Sequence, residues 1–453
     1  MNTKQLTQVC DITTGKLDAN AEQPNGKYPF FTCAPEPLRI DTYAFDDDVI
    51  LLAGNNAQGN FHLQRYTGKF NAYQRTYVIR AKEGYDIDYI KYSLELSLQQ
   101  LKRLAQGSQT KFLTMQILDS FQVADIPYED QKRLVGSIRE IDNQVALNKK
   151  ICNHIGNIAK TLFDYWFMQF DFPNVNSKPY RSSGGEMEWN EQLKRKIPLG
   201  WKVAPLSTVI AGINTGLNPR DNFVLGKGDI QYLTVKNLTT AGTIDFSGCD
   251  TIDEEARAII HRRSDISVGD ILFASIAPLG RCYLIQSKPE NWDINESVFS
   301  IRGNGEYVTP EFLYMYFMSD TFIKGATSSS TGSIFKGIRI NTLLDMVAVI
   351  PPKHITEAFS AQIKDMLALK AQKSEENMEL TKLRNWLLPM LMNGQATVVD
   401  AEDEPAKVIP FISKSDTDQR FTVWLQNQGV AARGDIDMQT MREIFDAMDD
   451  DDK

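Results

Sequence analysis

Three short patterns in the sequence could belong to catalytic sites, and none of them is complete. Gly15-Lys16 and Gly68-Lys69 are Gly-Lys pairs, but neither has the earlier glycine or the following hydroxyl of a nucleotide-binding P-loop. Asp130-Gln131-Lys132 has the Asp-x-Lys spacing of a nuclease metal site, but an Asp in the first turn of a predicted helix is also ordinary capping chemistry. The sequence has no Asn/Asp-Pro-Pro-Tyr tetrad that could hold a flipped base. We therefore expect no catalytic residue in this chain.

The histidines and cysteines also fail to form a recognisable site. The four histidines lie at positions 62, 154, 261 and 354, and the five cysteines at 10, 33, 152, 249 and 282, with no CxxC pair. Neither His62 nor His261 has a nucleophile or a carboxylate at triad-like positions, and no metal site is expected. Since no apolar run could span a membrane and the N-terminus lacks an export signal, we expect a cytoplasmic protein with reduced thiols and no membrane contact.

Polar loops in the first half carry side chains that can read nucleic-acid bases. Residues 55–60 offer three Asn and one Gln, and both residue types can bind adenine through two hydrogen bonds in the major groove. Gln74-Arg75 precedes the next predicted strand, and Lys111 ends a polar turn. The candidate DNA-binding residues of this half are therefore Asn55, Asn56, Gln58, Asn60, Gln74, Arg75 and Lys111.

Corresponding loops in the second half, at 275–281, 295–296 and 328–336, have a different chemistry. Arg and Lys are the residues that most often bind guanine and phosphate. The candidate DNA-binding residues here are Arg220, Lys236, Arg281, Lys336 and Arg339. Polar glycine-containing loops are usually only solvated connections, so the argument depends on the change of chemistry between corresponding loops.

These loops correspond because the sequence repeats itself. The similar segments are 48–53 with 270–275, 76–80 with 298–302, and 123–127 with 347–351, at offsets of 222, 222 and 224. Short runs rich in β-branched and aromatic residues predict strands, and Ile87–Gln106 and Pro310–Lys324 predict helices. Three matches in one order indicate two copies of a mixed α/β domain.

A heptad pattern follows the first copy, from residue 130 to about residue 170. One series is Leu134, Ile141, Asn148, Ile155 and Leu162, and the other is Ile138, Val145, Cys152, Ala159 and Trp166. This alternation of four and three residues predicts a coiled-coil helix. Its polar member, Asn148, is either a buried residue that fixes the register or a solvated gap.

A second long helix is predicted from about residue 355 to residue 392. Its apolar face is Ile355, Phe359, Met366, Leu369, Leu380, Leu383, Leu387 and Met390. Lys373 and Glu376 interrupt this face near mid-length, as Asn148 does in the first helix, which favours antiparallel pairing. At 1.5 Å per residue, each helix would span roughly 60 Å.

The formal net charge of −9 argues against a nucleic-acid binder, but it is unevenly distributed. Residues 400–453 hold fourteen Asp/Glu and six Lys/Arg, which leaves residues 1–399 near neutrality. We interpret this acidic tail either as a partner-docking or DNA-competing segment or as a solvated extension.

The predicted fold class is α+β, with two pseudo-repeated mixed α/β domains separated by a long antiparallel two-helix coiled coil. The predicted segments are a first domain (1–128), a central helix (129–170), a linker (171–200), a second domain (201–352), a distal helix (353–395) and the acidic C-terminal extension (396–453).

This order resembles the DNA-specificity subunit of type I restriction–modification systems. Local segments that carry the resemblance are 162–167 (LFDYWF), 170–173 (FDFP), 178–185 (KPYRSSGG), 190–191 (NE), 197–201 (IPLGW) and 383–394 (LRNWLLPMLMNG). The resemblance covers about residues 1–397, so the remaining C-terminal residues depart from the family.

The resemblance implies a non-catalytic subunit whose target-recognition domains each read one half of a split site in double-stranded DNA. Two methyltransferase subunits would dock on the helices and bring S-adenosylmethionine, and restriction motor-nuclease subunits would bring the ATP and Mg chemistry. The residues implied in the coiled coil and in docking are Leu134, Ile138, Ile141, Val145, Asn148, Ile155, Leu162, Trp166, Phe359, Met366, Leu380 and Leu387. The alternatives are a repeat-built protein–protein scaffold and an enzyme in its own right.

Deleting one heptad from each long helix should shorten the spacer between the two half-sites, because the helices are expected to set that distance. The spacer can be measured by methylome sequencing of cells that carry the shortened subunit. An unchanged spacer would refute the role of the helices.

Overall fold

The chain was analysed as a computed structural model that describes residues 2–56, 59–107, 110–329, 337–395, 397–398 and 430–431. It divides into two compact units, one of residues 1–143 and 381–453 and the other of residues 144–380. Both units mix helices and strands, in agreement with the predicted mixed α/β content. No helix in the described part of the chain is long and apolar enough to cross a membrane.

The first unit is built on a six-stranded sheet with the strand order β2-β8-β5-β7-β3-β4. Its strands are Thr3–Gln5 (β1), Cys10–Thr14 (β2), Tyr28–Phe31 (β3), Leu38–Ile40 (β4), Phe45–Ala53 (β5), Asn55–Asn56 (β6), Leu63–Ala72 (β7), Thr76–Ala81 (β8), Lys111–Phe112 (β9) and Gln122–Ala124 (β10). Its helices are Leu6–Val9 (α1), Ile87–Leu104 (α2), Met115–Asp119 (α3) and the start of Tyr128–Phe163 (α4). All pairs of the large sheet are antiparallel except β3 with β7.

The centre of this sheet is covered on both faces. Residues 49–53 of β5 and residues 76–79 of β8 are buried without alternation, which is the pattern of strands with no solvent-facing side. Helix α2 packs against β5, β7 and β8. It begins at the N-cap Asp86, whose carboxylate accepts hydrogen bonds from the backbone N–H groups of residues 88 and 89.

The second unit contains a four-stranded sheet, β14-β20-β17-β18, and a three-stranded sheet, β16-β15-β19. Its strands are Met187–Asn190 (β11), Arg195–Pro198 (β12), Lys202–Pro205 (β13), Ile210–Thr215 (β14), Ile230–Leu233 (β15), Asp250–Ile252 (β16), Ile271–Ala274 (β17), Cys282–Leu284 (β18), Trp292–Ile294 (β19), Val298–Gly303 (β20) and Val347–Ile350 (β21). Its helices are Glu254–Ser264 (α5), Pro310–Phe317 (α6), Asp320–Ser329 (α7), Ile340–Asp345 (α8) and most of Lys353–Met392 (α9). The single helix predicted over Pro310–Lys324 is thus two helices.

Strand β17 separates two apolar cores, because successive side chains point to opposite faces. Ile271 and Phe273 join the core formed with α4, α6 and α9, whereas Leu272 and Ala274 join a second core with residues of β15, β19 and β20. The largest core of this unit therefore contains both sheet residues and long-helix residues.

The long helices agree with the predicted ones in position, with two differences. The α-helical part of α4 ends at Phe163, and a π-helical turn, Asp164–Met168, replaces the predicted continuation to residue 170. The apolar face assigned to α9 is wrong at Leu369, which is 42% exposed, whereas Leu367 and Lys370 are buried. The buried side of this helix therefore departs from the predicted face near residues 367–370, whereas Phe359 and Leu387 are buried as predicted.

The helix α4 has its heptad positions largely buried. Ile138, Ile141, Cys152, Ile155 and Ala159 are all less than 9% exposed. Asn148 is fully buried and its Oδ1 accepts a hydrogen bond from Gln144 Nε2 at 3.1 Å, which favours the buried reading over the solvated gap. The predicted positions Leu134, Val145, Leu162, Met366 and Leu380 are half-buried.

The residues interpreted as a linker, 171–200, are folded and contribute to the core of the second unit. Phe172 stacks on Tyr180 and on Trp201, with ring centroids 4.6 and 5.2 Å apart. The carboxylate of Asp171 accepts hydrogen bonds from the backbone N–H and the hydroxyl of Ser182. In the acidic C-terminal extension, only Thr397–Val398 (β22) and Val430–Ala431 (β23) are described, so both interpretations of the tail lie outside the described residues.

Two isoleucines three positions apart on α4 test the packing of this helix. Ile155 is 7% exposed and Ile158 is 54% exposed. Ile155→Ala should lower the free energy of unfolding by about 2–5 kcal/mol because it leaves a cavity. Ile158→Ala is the matched control and should change it by less than about 0.5 kcal/mol in urea unfolding. Equal effects of the two variants would contradict this packing.

Candidate nucleic-acid interface

The structure brings several candidate residues of the first unit to one end of its sheet. The two-residue strand β6 pairs with β9, so that Asn55 lies opposite Phe112 and Asn56 lies opposite Lys111. The predicted amide loop and the predicted Lys111 turn are therefore neighbours, although they are far apart in sequence. Asn55, Asn56 and Lys111 are half-buried.

A polar cleft lies beside this strand pair. It is lined by Thr14, Gly54, Gln74, Arg75, Tyr77, Phe112 and Leu113. The backbone N–H of Gly54 donates to Arg75 O, and the N–H of Leu113 donates to Gly54 O, each at 2.8 Å. The Tyr77 hydroxyl donates to Leu113 O at 2.9 Å, and burial raises the pKa of Tyr77. Arg75 and Gln74 are thus exposed on a turn that backbone hydrogen bonds fix.

The amide loop itself is linked to helix α2. Asn60 N–H donates to Asn56 Oδ1 at 3.1 Å, and Lys102 Nζ donates to Asn60 Oδ1 at 2.8 Å. Sequence reasoning did not single out Lys102, because a lysine on a helix carries no signal of this contact. Gln58 lies outside the described residues.

In the second unit the corresponding place is formed by hydroxyl groups and backbone. The Ser275 N–H and hydroxyl both donate to Ser297 O, at 3.1 and 2.7 Å, and the Ile338 N–H donates to Ser275 O at 2.8 Å. Ser297 N–H in turn donates to Asn295 Oδ1 at 3.1 Å. Arg339 follows directly and is exposed as the N-cap residue of α8.

The remaining candidates of the second unit are more dispersed. Arg281 is half-buried at the start of β18, and its carbonyl accepts a hydrogen bond from Ala274 N–H. Arg220 is exposed on another loop and Lys236 is exposed in the short 3-10 helix Val235–Asn237, and no hydrogen bond or ion pair within the described residues joins them to the Ser275 group. Lys336 lies outside the described residues.

The prediction that His261 has no neighbouring carboxylate is wrong. His261 does have a carboxylate neighbour, because its Nδ1 lies 3.2 Å from Asp293 Oδ2. The Ser264 hydroxyl donates to the other oxygen of the same carboxylate at 2.7 Å, and burial raises the pKa of Asp293. Ser264 is fully buried and bonds to the Asp rather than to the His, so this group is not arranged for nucleophilic attack. No group of three or more potential metal ligands occurs among the described residues.

Comparison with known proteins agrees with this description. Residues 1–157 match the family "Type I restriction modification DNA specificity domain". The specificity subunit of the type I restriction enzyme EcoDI from Escherichia coli is 24% identical over 423 residues, which cover 89% of this chain and 90% of that protein. The MjaIX specificity subunit from Methanocaldococcus jannaschii is 22% identical and covers 70% of this chain and 71% of that protein.

A solved structure supports the fold. The S subunit of a type I restriction–modification system from M. genitalium covers 86% of this chain and 95% of that chain, with 13% identity and a TM-score of 0.54. The domain match places a DNA specificity domain over the part of the chain that contains the exposed polar loops of the first unit. The resemblance inferred from the sequence is confirmed: the chain is similar to type I restriction enzyme specificity subunits over most of its length.

The cleft of the first unit depends on Gly54, because a Cβ at this position would lie 2.3 Å from Arg75 O. Gly54→Ala should therefore lower the free energy of unfolding by about 1–3 kcal/mol, as overpacked positions do. Gly136 in α4 is the control, since a Cβ there meets no atom within 4 Å. Gly136→Ala should raise stability by about 0.5–1 kcal/mol in the same urea titration. Stabilisation by both variants would contradict the close approach.

Proposed function

We propose that the two units carry two versions of one target-recognition fold, that each version reads one half of a split DNA site, and that α4 and α9 fix the spacer between the halves. The observation that carries this proposal is a set of strand pairings and main-chain hydrogen bonds that occurs in both units, while the exposed side chains at the corresponding positions differ. The proposal extends to the partners: two methyltransferase subunits with S-adenosylmethionine and restriction motor-nuclease subunits with ATP and Mg, in the cytoplasm.

The sheets of the two units have corresponding strand orders. The order β2-β8-β5-β7 in the first unit corresponds to β14-β20-β17-β18 in the second. The registers agree as well, since Ala53 lies opposite Thr76 and Ala274 lies opposite Val298. Thr76 and Val298 keep the predicted offset of 222, but Ala53 and Ala274 are related by 221, so the predicted match of 48–53 with 270–275 is wrong by one residue.

The hydrogen bonds at the end of the sheet also correspond. Gly54 donates to Arg75 O and accepts from Leu113, and Ser275 donates to Ser297 O and accepts from Ile338. Because these bonds use only main-chain atoms, they place no demand on the side chain at the second position. That position is Arg75 in the first unit and Ser297 in the second.

The side chains above this shared pattern differ in what they can bind. The first unit offers the amides of Asn55 and Asn56 and the guanidinium of Arg75, which suit adenine and guanine edges. The second unit has Ile276 and Ala277 where the correspondence of Gly54 with Ser275 places the two asparagines, and the Ile276–Gly337 bridge occupies the place of the Asn55–Phe112 pair. A difference of this kind supports recognition of two different half-sites.

Contacts join the two long helices in each unit, and those of the second unit support antiparallel pairing. In the first unit Arg384, near the end of α9, binds Asp142 on α4 at 2.7 Å. In the second unit Gln144 Nε2 lies 3.3 Å from Glu376 Oε1, and Phe359 near the start of α9 packs on Trp166 after the end of α4. In the second unit, later residues of α4 thus contact earlier residues of α9, as expected for a spacer of two antiparallel helices.

A repeat-built protein scaffold is the alternative, and one experiment separates the two functions. The full chain, assembled with its methyltransferase partner, should enrich a bipartite motif from a randomised duplex library. Replacing residues 1–128 with those of another specificity subunit should change one half of that motif and leave the other half intact. No enrichment would overturn DNA recognition, and a change in both halves would overturn the division of labour.

A further inference from the structure

The folded segment that precedes the second predicted domain carries more positive charge than its surroundings neutralise. Residues 178–202 contain six Lys or Arg and three Glu. Two of these acids have local partners, since Glu191 pairs with Lys194 at 2.8 Å and Glu188 accepts a hydrogen bond from Gly200 N–H at 3.0 Å. Five cations remain besides Lys194, and three of them, Arg181, Arg195 and Lys196, are exposed and close to one another in the sequence or across Phe170.

These residues stand on a rigid support. The strands β11 and β12 form a separate two-stranded ribbon in which Trp189 lies opposite Lys196 and Glu188 lies opposite Ile197. Ile197 is 1% exposed and anchors the ribbon in the core of the second unit. On the other face Trp189 is 54% exposed, so a large aromatic surface lies beside the exposed Lys196.

Phe170 brings the two arginines together. Arg181 N–H donates to Phe170 O at 3.2 Å, and the guanidinium of Arg195 lies 5.0 Å from the centroid of the Phe170 ring. Partial burial and the neighbouring Arg181 charge both lower the pKa of Arg195. Phe170 thus contacts both residues, the main chain of Arg181 through its carbonyl and the guanidinium of Arg195 through its ring.

This arrangement differs from other arginines in the chain. Arg65, Arg302 and Arg384 each bind an Asp. Within the described residues, no carboxylate lies in ion-pair distance of Arg181, Arg195 or Lys196. Adjacent cations without a counterion attract an external anion, and a guanidinium binds phosphate oxygens through two parallel hydrogen bonds.

We propose that the β11–β12 ribbon, with Arg181, Arg195 and Lys196, is a phosphate-binding surface that contacts the DNA backbone outside the base-reading loops. This inference rests on the proposed DNA recognition. Phosphate contacts fix position and add affinity without reading sequence. DNA phosphate is the occupant that we infer, because exposed cations without a carboxylate partner are typical of nucleic-acid contacts.

The test uses the chain assembled with its methyltransferase partner, the target duplex selected above and a scrambled duplex of equal length. Arg181→Gln with Lys196→Gln keeps the Arg195–Phe170 contact, and adding Arg195→Gln removes the third cation. Affinity for both duplexes should fall by the same factor. The slope of log affinity against log salt should decrease by about 0.9 for each lost phosphate contact. The melting temperature should stay unchanged, because Arg181 and Lys196 are exposed.

The matched control replaces the same positions with Arg181→Lys, Arg195→Lys and Lys196→Arg, which keep the charge and should keep the salt slope. An unchanged affinity and slope in the Gln variants would overturn the inference, as would a loss confined to the target duplex. Failure of only the Gln variants to assemble with the partner would identify a protein-docking surface and overturn it as well. If the unsubstituted complex does not distinguish the two duplexes, the proposed DNA recognition itself fails.

Discussion

An aromatic cluster at the end of α4 is the constraint on which the second unit depends. The ring centroid of Phe167 lies 4.8 Å from the centroid of Phe312 and 5.0 Å from that of Phe359, and both pairs are edge-on. Such pairs add directional preference to the large apolar area that the rings bury. Because the same core includes Phe273 of β17, the long helices and the sheet below the loops form a single packed body.

The first unit joins its helices by charge instead. Arg384 binds Asp142 and Glu95, each at 2.7 Å, and the Tyr92 hydroxyl donates to Asp142 at 2.7 Å. Burial alone would raise the pKa of the Asp142 carboxyl. The positive charges of Arg384 and Lys91 outweigh this effect, and the pKa is lowered. A half-buried network of this kind requires every member, because removing one leaves another charge without a partner.

Much of the architecture could be predicted from the sequence, because heptads and β-branched runs follow fixed periods. The prediction failed where a charged side chain is buried or an apolar side chain is exposed. Lys370 is 4% exposed in a pocket with Tyr314 and Gly242, and burial lowers its pKa to about 8, while Leu369 faces solvent. The contact between His261 and Asp293, and the pairing of Asn56 with Lys111, depend on how distant segments meet, which no local pattern encodes.

The main-chain hydrogen bonds around Gly54 and Ser275 also bear on how such a protein changes over generations. A scaffold that is held by hydrogen bonds between main-chain N–H and C=O groups keeps its fold after most substitutions at the exposed positions that it supports. Arg75 and Ser297 occupy equivalent places without altering the fold beneath them. If each unit reads one half-site, as proposed, a few point mutations at such positions would give a lineage a new target sequence in one half while the other half retains its own.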